Sequence, residues 1–257
     1  MNFLTLIRIE RKKIKHSKIF FILLAAAIIL WIPSILNVHL NFEMQAEGIS
    51  PEHNFFIQGF LGLSWFMFPA SIIIGTVLIS QTERTDNAIL KMLALPVHTA
   101  GLCLAKFATL LILAAAQVFI MTGMYYASAA LCSAMHHYNF ILPPLFAAKE
   151  AALLFLSAIP MAAFFWMLSV CIKSPLFSIC IGLASIVPSV LVINTDAWFA
   201  YPMSYPFFLI TSEYGRLAAN LEPAQAELFP WIPAAVAITF ICLLISCMRF
   251  GQAERRA

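Results

Sequence analysis

Six long stretches of this sequence contain no Asp, Glu, Lys, Arg or His: residues 19–38, 56–79, 107–131, 151–171, 175–195 and 231–248. Charged residues make up only 11% of the chain, against about 25% in a soluble globular domain. An uncharged apolar run of about 18 residues or more is long enough to cross a bilayer as a helix. The six runs take roughly half of the 257 residues and leave only short tails and connections. The expectation is an all-α, polytopic membrane protein: six transmembrane helices in a single membrane domain over residues 1–257.

Other absences narrow the chemistry. No G-x-x-x-x-G-K-[ST] loop or Gly-rich dinucleotide fingerprint occurs, which argues against the usual nucleotide cradles. No H-E-x-x-H helix is present either. Gly62-Leu63-Ser64-Trp65 lacks the second glycine of a serine nucleophile turn and has no histidine in a span to serve as base. His136 and His137 are adjacent, so they point in different directions and make a poor metal pair; a solvated polar loop accounts for them. The six cysteines include no C-x-x-C pair and read as small apolar residues. The chain is expected to be neither an enzyme nor a holder of a metal or cofactor. Ionisable residues inside the membrane mark ion and proton pathways, and here the spans offer only Gln117 and hydroxyls such as Thr122, Ser157 and Ser169. If the protein moves a substrate, the energy enters from outside the bilayer, through a partner at the cytoplasmic face.

The basic residues give an orientation. With the N-terminus in the cytoplasm, 13 of the 15 Lys and Arg fall on that side, and only Lys149 and Arg216 on the other. Basic flanks resist translocation, whereas acids count for little. The opposite face carries Glu43, Glu47, Glu52, Glu150, Asp196, Glu213, Glu222 and Glu227. Both termini are therefore expected in the cytoplasm. The net charge of +3 is a topology signal, not a sign of nucleic-acid binding. The first run is longer than a signal-peptide core and lacks a small-residue cleavage site at 37–42, so it is read as a retained span.

Residues 1–18 combine Phe3, Leu6, Ile7 and Ile14 with a basic cluster. They suit either a helix lying at the inner membrane surface or a plain positive flank. Pro33, Pro69, Pro160 and Pro188 interrupt four spans and predict kinks. Two connections are longer than a simple link needs. In the first, Ser80 and Glu83 have the spacing of a capping box, Ile89, Met92 and Leu93 share a helical face, and Pro96 closes the segment. The pattern predicts a short amphipathic helix, which either docks into a partner's groove or rests its apolar face on the membrane. In the second connection, Trp198, Phe199, Tyr201, Tyr205, Phe207 and Phe208 crowd together. They serve as interfacial anchors or as a partly re-entrant outer gate against an amphipathic substrate.

The segment Glu83-Arg-Thr-Asp-Asn-Ala-Ile-Leu-Lys-Met-Leu-Ala-Leu-Pro96, followed by Leu104-Ala-Lys106, resembles the permeases of type 2 ABC transporters. The six spans, the N-terminal interfacial helix and the long outer segment are similar to that family as well. The resemblance implies that Glu83 heads a coupling helix and that Leu93, Leu95 and Pro96 close it, with Met92 where leucine is common. Lys106 stands for the lysine that opens the third span. Within the family, the chain looks most like the permeases of lantibiotic-immunity exporters. The partners so implied are a separate ATP-binding subunit, a second permease copy or paralogue, the lipid bilayer and an amphipathic peptide substrate. The setting implied is the bacterial plasma membrane. Two alternatives stand beside this reading: an exporter of another amphipathic substrate (lipid or drug), and a non-transporting assembly factor or sensor.

Overall fold

The computed structural model describes residues 3–15, 19–43, 46–84, 98–172, 174–218 and 228–250, with the main chain alone at residues 15, 81–84 and 228. Helices form wherever the uncharged runs lie. In chain order they are α1 (Phe3–Lys15), α2 (Ile19–Leu36), the short α3 (Leu40–Glu43), α4 (Pro51–Gly62), a π turn (Leu63–Met67), α5 (Phe68–Arg84), α6 (Thr99–His136), α7 (Pro144–Cys171), α8 (Pro175–Ile186), α9 (Ser189–Val192), a 3₁₀ turn (Trp198–Ala200), α10 (Tyr205–Leu217) and α11 (Leu228–Arg249). No strand occurs among the described residues. Six helical stretches are long and apolar enough to span a membrane: α2, α4 through α5, α6, α7, α8 through α9, and α11. The chain is an all-α, multi-pass membrane protein.

Helix α6 lies at the centre and packs against α1, α2, α5, α7 and α11, while α7 packs against α5, α8, α10 and α11. In lipid the hydrophobic effect does not drive helices together, so close packing must. Among the described helical glycines the closest approach sets Trp31 of α2 over Gly59 of α4, where an added Cβ would lie 2.4 Å from the indole. Phe55, Phe60 and Tyr125 surround that indole at 5.3, 6.5 and 5.7 Å between ring centroids. Helices α2, α8 and α11 turn most of their side chains outward, as peripheral helices meeting lipid do.

The kinks expected at Pro69 and Pro188 are present as breaks in the second and fifth spans, and two other expectations are corrected. The second span is not one regular helix: a π turn separates α4 from α5 just before Pro69, whose missing amide already interrupts the hydrogen-bond ladder there. The fifth span breaks at Val187–Pro188. Helices α6 and α7 extend past the uncharged runs and take in Lys106, Lys149 and Glu150. Ser80 does not cap a new helix, because α5 continues through it to Arg84; its hydroxyl bonds back to the Val77 carbonyl at 3.0 Å. His136 and His137 are exposed, and His137 ends α6 with φ of 53° in the left-handed region.

Candidate functional site

The connections sort to two ends of the bundle. At one end, helix α1 lies along the beginning of α6. Leu6 is buried, Ile7 and Ile14 pack against the core, and Arg8, Arg11 and Lys12 face outward. Glu10 falls one turn after Leu6 on the same inward face and is 3% exposed. Its carboxylate accepts from the Lys106 ammonium at 2.9 Å and from Lys13 at 2.8 Å. Lys106 itself is 1% exposed. Burial opposes ionisation of Glu10, but the Lys106 charge and the bonds from Lys13 and Lys106 outweigh it, so its pKa lies below the ordinary value.

The same end holds the last turns of α5 and α7. The Ser169 hydroxyl donates to Ser80 Oγ at 2.9 Å and meets the Thr76 carbonyl at 3.3 Å. Trp166 of α7 donates its indole N–H to Cys103 Sγ at 3.4 Å, and Cys247 near the end of α11 lies beside Cys103. Both described termini are thus at this end. Of the residues read as a coupling segment, Glu83 is in the last turn of α5 with only its main chain described. Ile89, Met92, Leu93, Leu95 and Pro96 lie outside the described residues. Lys106 is in place, paired with Glu10. The two helices that flank the segment are both fastened, α5 to α7 through Ser80 and α6 to α1 through Lys106.

At the other end, Tyr138 donates its hydroxyl to the Glu52 carboxylate, and Phe42, Tyr138 and Phe140 pack edge to face. The aromatic segment before α11 forms a 3₁₀ turn and a helix, with Pro206 in the first turn of α10. Trp198 stacks on Phe208 at 3.8 Å and meets Trp231 at 5.7 Å. Tyr205 bonds the Phe199 carbonyl, and Tyr201 bonds the Ser185 carbonyl of α8. Tyr205 and Phe208 are buried, whereas Trp198, Tyr201 and Phe207 are half-buried. Helix α10 packs against α4 and α7, and an apolar groove of about 660 Å³ runs between α7, α10 and α11 past Pro160, Tyr205 and Trp231.

The polar groups within the spans that the sequence singled out are satisfied by the chain itself. Ser71 donates to Gln117 in the middle of the bundle, Thr122 to the Val118 carbonyl, and Ser157 to the Leu154 carbonyl. Among the described residues no group of His, Cys, Asp and Glu is placed to hold a metal ion.

The sequence matches the model of a family described as ABC-2 family transporter protein, over residues 6–190. The chain belongs to that family. The match begins at Leu6 of α1 and so includes Glu10, the segment after α5, Lys106 and the central pair α6 and α7. It stops before the aromatic segment and α11. No curated protein and no solved structure matches the chain. As an ABC-2 family member the chain is a permease subunit, a membrane component of transport and not an enzyme. What reading the sequence missed is Glu10. Its signal was present: it is the lone acid of a basic segment, and its spacing from Leu6, Ile7 and Ile14 sets it on the apolar face.

Proposed function

We propose that this permease is the membrane half of an ATP-driven exporter that expels cationic, amphipathic peptides such as lantibiotics and so protects its host cell. Its ends lie in the cytoplasm of a bacterial plasma membrane. A separate ATPase docks on residues 83–96, and a second permease copy or paralogue completes the path. The observation that carries the coupling half is the fastening of both flanking helices. A push on the connecting segment is delivered through Ser80 to α7 and through Lys106 to α1, because each flanking helix is bonded to that neighbour. Interface elements that are packed in this way pass on displacement without absorbing it.

The substrate half rests on the opposite end. By sequence, the segments assigned to that side hold eight acids against two basic residues, a balance that draws in cationic ligands. The apolar groove beside Tyr205 and Trp231 suits the hydrophobic side of such a peptide. The test is to express the permease with its ATPase in a sensitive strain and to measure survival against lantibiotics and other cationic peptides. Protection is expected with the native chain and is lost with Leu93→Asp. If no such peptide changes in toxicity while a lipid or small drug is exported, the peptide assignment is wrong. If Leu93→Asp leaves ATPase association and transport unchanged, the docking assignment is wrong.

A further inference from the structure

A second cavity, of about 400 Å³, opens between α2 and α4 at the end opposite α1, a size within the range of small-molecule sites, roughly 300–1,000 Å³. Below it, Trp31 over Gly59 and Leu30 beside Gly62 close the two helices on each other. Above them Pro33, Leu40 and Phe55 line it together with the polar side chains of Ser34, Asn37, Asn41, Asn54 and Gln58. Gln58 reaches Asn54 Oδ1 at 3.5 Å, Asn54 donates to Asn41 Oδ1 at 3.0 Å, and Asn41 donates to the Val38 carbonyl at 2.9 Å. Asn41 and Asn54 are buried, whereas Asn37 and Gln58 are exposed at the mouth. Burying amides costs free energy unless they are bonded, and this ladder holds them around one space.

Among the described residues the lining contains no ionisable side chain to compensate a charge. Side-chain amides both donate and accept, which matches a group carrying several hydroxyls. The cavity lies at the end of a span, and one turn into the membrane from Pro33 the side chain of Ile29 is 59% exposed. A ligand with its polar part among the amides therefore has an apolar surface beside it for a hydrocarbon tail. We propose that this cavity binds an uncharged, multiply hydroxylated sugar group, presented as the headgroup of a membrane lipid.

The test reconstitutes the full chain in nanodiscs of phosphatidylcholine containing a minor fraction of glucosyl diacylglycerol. The lipid retained after detergent extraction is then quantified by mass spectrometry. Retained lipid is expected to be enriched in the glycolipid over the bulk composition. Asn37→Leu with Gln58→Leu, both at the exposed mouth and so compatible with folding, is expected to reduce the enrichment about tenfold by removing two amide partners. Methyl glucoside distinguishes the source: if it does not displace the lipid, the headgroup together with its tail is the ligand, and if it does, a soluble sugar shares the site. Retained lipid that mirrors the bilayer overturns the proposal. So does enrichment that survives the double variant, or displacement by a neutral tripeptide but not by the sugar. None of these outcomes depends on peptide export.

Discussion

The buried contact between Glu10 and Lys106 is the strongest residue-level constraint on the basic end. Removing Glu10 takes from the buried Lys106 ammonium the carboxylate it meets at 2.9 Å, and breaking a buried ion pair typically costs about 3–5 kcal/mol, whereas loss of Lys106 leaves Glu10 its bond from Lys13. Glu10→Gln is therefore expected to lower thermal stability in detergent and to expose α1 to protease. The exchange Glu10→Lys with Lys106→Glu is expected to recover most of that loss, because opposite charges again meet. The pH dependence has a definite sign. Glu10 has a folded pKa below its ordinary 4.5, so its contribution is fully present above that value and is lost as pH falls through the lowered folded one. Hydrogen exchange in α1, taken relative to the intrinsic amide rate at each pH, is expected to be flat from neutral pH down to the carboxylate range and to rise only below it. A rise starting well above that range, where histidines titrate, would point to a histidine instead.

Packing of helix on helix is where small residues matter, and two glycines give opposite forecasts. Gly59→Ala sets a methyl 2.4 Å from the Trp31 ring, and the buried indole has Phe55, Phe60 and Tyr125 around it. Overpacking of this kind costs about 1–3 kcal/mol, so the variant is expected to melt earlier in detergent. Gly101→Ala meets nothing within 4 Å in the first turn of α6. There it is expected to stabilise by up to about 1 kcal/mol through helix propensity. Equal effects at the two sites would contradict the contact between α2 and α4. The elements themselves were legible in the sequence to different degrees. Uncharged length located every span, because a bilayer enforces it. The interruption at Pro69 was legible from the proline itself, but its π form and the continuation of α5 through Ser80 were not. A capping-box spacing states only what local chemistry permits, and here bonds to Val77 and Ser169 favour the longer helix. Trp198, Tyr201, Tyr205, Phe207 and Phe208 were read as interfacial anchors or as an outer gate, and the sequence left that choice open. Composition cannot tell a ring that stacks on Trp198 from one that faces outward.

For the whole molecule, the structure brings both described termini to one end, and chemical labelling can decide which end faces the cytoplasm. Glu47 and Asn139 are exposed at the end opposite α1, so single cysteines there report that face without disturbing packing. Asn87 and Arg255 serve as reporters for the basic end. The cysteine-free background must remove Cys103, Cys132 and Cys242, which are buried. Serine at position 103 keeps an acceptor for the Trp166 indole and is the substitution of choice there. In intact cells an impermeant thiol reagent is expected to label the Glu47→Cys and Asn139→Cys variants only. Asn87→Cys and Arg255→Cys are expected to react only after the membrane is opened. The reason is physical: 13 of the 15 basic residues fall in the segments that alternate onto the N-terminal side of the six spans, and short basic connections stay on the cytoplasmic side during insertion. External labelling at Asn87→Cys would place the segment after α5 outside the cell, away from any ATPase. The exporter reading would fall with it, while the Glu10–Lys106 contact and the sugar-binding cavity would remain to be explained in an inverted protein.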